Sequence, residues 1–371
     1  MESFHPPSRL LLGPGPSMVA PSVLEAMSKP LIGHMDPAFL EMMEQIKEML
    51  RAVFRTKNAM TFPVSGTGSA GMEFCLVNLI EPGDEAVICI NGVFGARMAD
   101  VASRCGANVI KVEAEWGRII EPAQVAEALK GRKPKLVGVV HAETSTGAWT
   151  PVEEIASLAR EAGALTLIDA VTSLAGCPVQ LDEWGIDAVY SGTQKCLSCP
   201  PGLAPVSLSD RAMMAATSRN TKVQSWYLDV NLLSSYWGSE RVYHHTAPIT
   251  MNYALHEGLR LVLDEGLEAR FARHERNHLR LREGLASLGL GLASQPGHQL
   301  WQLNSVSVPE NVNETSVRGR LLSDFGIEVG AGLGPLKGKV WRIGLMGESS
   351  TADNVDIVLN ALGQILSENS A

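Results

Sequence analysis

Between residues 60 and 208 the chain repeats one pattern seven times: a short apolar run, then glycine or polar residues, then a stretch of helical period. The runs occupy 60–64, 86–90, 108–112, 136–140, 165–168, 188–191 and 204–208. Most are apolar at every position rather than at alternate ones. A strand covered on one face alternates, whereas a strand covered on both does not. Such strands, with helices between them, build a mainly parallel sheet flanked by helices, so the expected class is α/β. Chemically active groups then belong in the loops that leave the carboxyl ends of the strands.

The 371 residues suffice for a large domain and a smaller one. Residues 1–20 read as an extended arm, because Pro14, Pro16 and Pro21 prevent early helix. Residues 21–250 read as the large domain and 251–371 as a connecting helix with a small C-terminal domain. Asp36 and Pro37 suit the start of a helix in which Phe39, Leu40, Met43, Ile46, Leu50 and Val53 recur at helical spacing. From 247 to about 288 the pattern is almost continuously helical, with Gly258 and Gly266 as weak points. Strands at 306–308, 326–329 and 340–345 and helices at 314–324 and 352–366 complete a small α+β unit.

A net charge of -9 without a basic run excludes a nucleic-acid footprint. No apolar span approaches the ~20 residues that cross a bilayer. The leucines near the N-terminus form too short a run for a signal-peptide core, and the chain ends Glu-Asn-Ser-Ala, without a peroxisomal tripeptide. Cytoplasm is the expected compartment. The 6 cysteines are irregularly spaced and make no disulfide framework, and Cys196-x-x-Cys199 has no second ligand pair near it. His244 and His245, adjacent on an extended segment, point to opposite sides. No metal site is expected.

Lys195 follows the apolar run that ends near Ser191. Alone, it reads as a solvated surface lysine. Asp169 changes that reading, because it ends the neighbouring apolar run one β-α-β unit earlier. A strand-end carboxylate and a strand-end lysine are what a pyridoxal phosphate site requires: the amine forms a Schiff base, and the carboxylate keeps the ring nitrogen protonated. Ser65-Gly66-Thr67-Gly68-Ser69-Ala70-Gly71 follows a strand and opens a helix, which suits a phosphate cradle. Arg342 lies inside an apolar strand and is costly there unless paired, either with a ligand carboxylate or with an internal Asp or Glu.

These blocks, LLGPGPS, SGTGSAG, NGVFGAR, ETSTG, LIDAVTSLAG, SGTQKCLSCPPG, VYHHTAP and VWRIGLMG, run through the chain in one order. Together they resemble the class V, fold-type I aminotransferases, and within them the alanine–glyoxylate and serine–pyruvate branch. The resemblance implies an arm packed on the small domain, phosphate contacts from Thr67, Gly68, Ser69 and Gln194, and Phe94, in a loop after its strand, flat on the cofactor ring. Family members more often carry Trp and His at positions 94 and 69. It further implies that Thr144 meets the cofactor or substrate, that Arg342 holds the substrate carboxylate, and that Gly33 narrows the pocket. Tyr243 and Thr246 would reach across a homodimer interface to the phosphate of the other subunit. The implied reaction moves an amino group from alanine or serine to glyoxylate or pyruvate by a ping-pong route. Related aminotransferases acting on 2-aminoethylphosphonate, ureidoglycine or pyridoxamine share most of these blocks. A cysteine desulfurase would need a small-domain cysteine, and the last one here is Cys199.

Overall fold

The computed structural model describes residues 1–368; the terminal Asn-Ser-Ala lies outside the described residues. A seven-stranded sheet runs in the order Met60–Ser65, Leu203–Leu208, Ala188–Tyr190, Leu165–Asp169, Leu136–Val140, Glu85–Ile90, Asn108–Glu113. All neighbouring pairs are parallel except those made by Leu203–Leu208, which runs against both its neighbours. Two reversals cancel, so Met60–Ser65 points the same way as the parallel strands and delivers Ser65 to the same edge. Every residue of Leu136–Val140, Leu165–Asp169 and Leu203–Leu208 is buried. Alternate residues feed separate cores on the two faces: Val87, Val137, Ile168 and Val189 in one, Ile88, Leu136, Leu167 and Tyr190 in the other. That two-sided burial explains the uninterrupted apolar runs.

From the edge strand Asn108–Glu113 the chain crosses back to place Leu136–Val140 on the other side of Glu85–Ile90. The direction of winding changes there, and a crevice opens at the carboxyl ends of the strands.

The helix Pro37–Phe54 starts on Asp36, whose side chain accepts from the Ala38 amide at 2.8 Å. It buries Phe39, Met43, Ile46, Leu50 and Val53, while Leu40 is half-buried. The long helical stretch is two helices, Ile249–Glu265 and Leu267–Ser287, broken at Gly266 with φ 80. Gly258 is no weak point. It is buried within the first helix, and a Cβ there would lie 2.3 Å from Cys199 Sγ.

A second, antiparallel sheet joins Leu303–Ser307, Val340–Gly344 and Gly330–Ala331 in that spatial order. It packs with the helices Glu314–Phe325 and Ala352–Glu368 around Trp341, Ile343, Val355 and Leu362. Leu10–Leu11 pairs in parallel with Ile327–Glu328, and Leu12 is buried in the same core. No helix among the described residues is long and apolar enough to cross a membrane.

Candidate active site

Four segments leave the carboxyl edge of the large sheet and meet around one cleft. It holds about 490 Å³ of space free of protein atoms, part of it open to solvent. Thr67, Gly68, Ser69, Phe94, Asp169, Gln194 and Lys195 all line it, with Arg97 and Tyr190 among the remaining walls.

Lys195 lies five residues past the end of Ala188–Tyr190, in a segment pinned by the arm. The Ser17 hydroxyl donates to the Lys195 carbonyl at 2.7 Å, and the Ser17 amide to the Gln194 carbonyl at 2.9 Å. The lysine is 8% exposed and its amine donates to the Pro14 carbonyl. Burial, and then the nearby charge of Arg342, bring that amine down to about 8. Close approach of the arm depends on Gly15, whose φ is +104 and where a Cβ would lie 2.7 Å from Lys195 Nζ.

Asp169 ends its strand buried. Its Oδ1 accepts from the Val171 amide at 2.8 Å, and its Oδ2 from the Tyr190 hydroxyl at 2.7 Å. Burial outweighs those bonds and pushes its carboxyl up to about 6. Tyr190 escaped the sequence reading; the signal is register, since Asp169 and Tyr190 are partners on adjacent parallel strands.

The helix after Met60–Ser65 begins at Gly68 and runs Gly68–Leu79, four residues earlier than its apolar period suggests. The Gly68 and Ser69 amides precede its first backbone bonds, which the Ala70 and Gly71 amides make to the Thr67 carbonyl at 2.7 and 3.4 Å. A Cβ on Gly68 would lie 3.2 Å from Val171 Cγ2 and 3.4 Å from the Ser191 carbonyl oxygen, so glycine lets this backbone pack tightly on both segments. The Gln194 amide oxygen is buried without a protein partner among the described residues.

Phe94 is not in a loop. It occupies the first turn of the helix Val93–Arg104, with the Arg97 guanidinium 5.1 Å from its ring centroid. The glycines of NGVFG disguised that helix start. Thr144 is buried and does not line the cleft; its hydroxyl pairs with the Thr172 hydroxyl at 2.7 Å, while its carbonyl accepts from Arg342 Nη1 at 3.2 Å. Arg342 Nε donates to the Ala331 carbonyl at 2.7 Å. The arginine is 7% exposed as a residue, and its guanidinium forms no ion pair with a protein carboxylate among the described residues. Burial pulls it down to about 10. Of the two pairings open to it from sequence, the internal one is therefore not made.

Three sequence candidates lie elsewhere on the chain. Tyr243 is 60% exposed and Thr246 is exposed. Gly33 is exposed too, with nothing within 4 Å of a built Cβ, so it does not narrow the cleft of its own chain. His34 and Tyr243 do share one surface, their rings 5.4 Å apart. Glu143 was not a candidate, yet it is fully buried beside Phe94, and burial pushes its carboxyl up to about 7.

A crevice of this kind, at the carboxyl edge of this sheet with a small antiparallel layer behind it, is that of the fold-type I transferases. The chain belongs to the class-V aminotransferases: that family's sequence pattern, Aminotransferase class-V, matches residues 9–358. The (S)-ureidoglycine–glyoxylate transaminase of Bacillus subtilis is 43% identical, covering 98% of this chain and 92% of that protein. The mouse alanine–glyoxylate aminotransferase is 42% identical over 97% of this chain and 88% of its own. Among solved structures, an alanine–glyoxylate aminotransferase from Nostoc sp. superposes with a TM-score of 0.97 at 49% identity, covering 99% of this chain and 97% of that one.

Proposed function

We propose that this aminotransferase binds pyridoxal 5'-phosphate in the cleft and moves the amino group of a small amino acid, alanine or serine, to glyoxylate or pyruvate. The observation that carries this reading is the convergence of Lys195 and Asp169 on one cleft, with the unpaired Arg342 close enough for its charge to be felt at Lys195. The Gly68 helix start supports the fit of a phosphate-bearing group, to which Gln194 would donate through its amide NH2. Bound there, pyridoxal phosphate would supply an electron sink for negative charge at the substrate's Cα.

Lys195, its amine down to about 8, is suited to attach the cofactor and, once released, to take and return the Cα proton. Asp169, held by Tyr190 and Val171, would keep a proton on the ring nitrogen. Thr67, Gly68, Ser69 and Gln194 would hold the phosphate, and Phe94 would lie against the ring. Arg342 would receive the substrate carboxylate, with Thr144 behind it. Tyr243 and Thr246, exposed on the outer surface, would complete the phosphate site of a second copy, and Gly33 would enter that copy's cleft with them. The assembly is then a homodimer.

Both named relatives carry glyoxylate in their names, which supports it as the acceptor. Ureidoglycine is the alternative donor, on the strength of the Bacillus relative. A persulfide mechanism has no thiol available, since all 6 cysteines are buried.

The test is absorbance of the holoenzyme mixed with one amino acid at a time and no keto acid. Conversion of the bound chromophore by alanine or serine, reversed by glyoxylate, is expected. Conversion by ureidoglycine or aminoethylphosphonate alone would refute the donor assignment, and a protein that takes up no pyridoxal phosphate would refute the cofactor.

A further inference from the structure

The helix Val93–Arg104 carries Phe94 to the cleft, but its own sequence does not cap it. Gly92 stands at the N-cap without a side chain, and the first turn holds no acidic residue. Its first three amides are taken by a segment roughly fifty residues further along the chain. The Val93 amide donates to Ser145 Oγ at 3.0 Å. The Phe94 and Gly95 amides donate to Glu143 Oε2 at 3.2 and 3.3 Å. The other carboxylate oxygen, Oε1, accepts from the Ser145 amide at 3.2 Å and from the Ser145 hydroxyl. Each of these neighbours donates and so favours the ionised carboxylate, at a helix N-terminus, against the burial that raises it to about 7.

Room for the carboxylate is made at Gly92, where a Cβ would lie 2.4 Å from both Glu143 Cδ and Ser145 Oγ. The next residue after Glu143 is Thr144, whose carbonyl accepts from Arg342, and the Glu143 charge opposes the desolvation of that guanidinium. A cap that served stability alone needs only a serine or aspartate at position 92. Recruiting it from residues 143–145 ties together two segments that each present a group to the site.

We propose that Glu143 is a positioning residue for the reaction: its carboxylate fixes the Phe94-bearing helix to the Thr144 segment that steadies Arg342. The cofactor ring and the substrate carboxylate are thereby held in one relative placement. The inference rests on the cofactor reading above.

Glu143→Gln keeps the shape but turns one acceptor oxygen into a donating NH2 that meets donating amides. In holoenzyme reconstituted with pyridoxal phosphate, the visible circular dichroism of the bound chromophore should change in size, because it reports how the ring is seated. The kcat should fall about tenfold, as expected for a sub-ångström misplacement, with a smaller change in KM. Ser145→Ala leaves the carboxylate in place and should act in the same direction more weakly. The double variant should lose less than the product of the two single losses. A purely structural cap would lower Tm yet leave dichroism and kcat at wild-type values in the folded fraction, and that result overturns the proposal. Should Glu143→Gln not fold, unchanged dichroism and kcat in Ser145→Ala overturn it instead. The wild-type spectrum is a separate arm: no bound chromophore there defeats the cofactor reading, and with it this one.

Discussion

Replacing Arg342 by lysine separates its charge from its geometry. Its Nε is committed to Ala331 and one Nη1 hydrogen to Thr144, which leaves the outer edge of the fork for a ligand carboxylate. Two charge-assisted bonds along that edge are worth about 1.5 kcal/mol each, and a lysine amine restores only part of one geometry. The net loss is about 2 kcal/mol, or roughly 30-fold in kcat/KM. The assay compares L-alanine with ethylamine, which lacks the carboxylate, as donors to the same holoenzyme. Arg342→Lys should slow alanine by that factor and leave ethylamine within about twofold. Equal losses for both donors would show that the arginine only supports the fold, and no loss for alanine would show that the carboxylate binds elsewhere. Stability should change little, within ~3 °C in Tm, because a buried guanidinium without a carboxylate partner contributes little to it.

Attachment of pyridoxal phosphate to the apoprotein should accelerate as pH rises through about 8 and level off above it. Only the neutral amine attacks, and burial together with Arg342 favours that form. Stopped-flow absorbance that still climbs near about pH 10, where an unperturbed lysine titrates, would contradict this. Gly258→Ala should lower the apoprotein Tm by ~2–6 °C, since the new methyl would lie 2.3 Å from Cys199 Sγ and 3.0 Å from the Leu197 carbonyl oxygen. Adding Cys199→Ala should recover much of the loss, and a single variant with wild-type Tm would show that the helix can shift to make room.

The seven strands of the large sheet were legible to within a residue at either end, because burial on both faces is written directly as apolar runs. Strand direction is not written that way. Leu203–Leu208 is as apolar as its neighbours, yet it runs against both. Gly258 and Gly266 look alike in sequence, but one is held in a helix by tight packing and the other ends a helix at positive φ. Lys195, Asp169 and Gly68 were readable because each stands at or just beyond a strand end, and Arg342 because a guanidinium is incongruous in an apolar strand. Glu143 and Tyr190 were not, since each matters through a contact between segments far apart in sequence. The exposed position of Gly33, clear of the cleft of its own chain, is equally invisible in a linear reading.

The pairing of Leu10–Leu11 with Ile327–Glu328 also sets an order of events in the cell. The arm leaves the ribosome first, but its partner strand is made roughly three hundred residues later. At ~5–20 residues per second, that is a wait of ~15–60 s. Throughout it, Leu10 and Leu12 lack the small-domain core against which they pack, and Leu11 its strand partner. The large sheet can form meanwhile from segments already synthesised, and with it the Lys195 segment that the arm touches, so only the strand pairing of the arm comes last. A nascent chain interrupted before Ile327 would therefore carry a formed sheet and an arm without its strand partner.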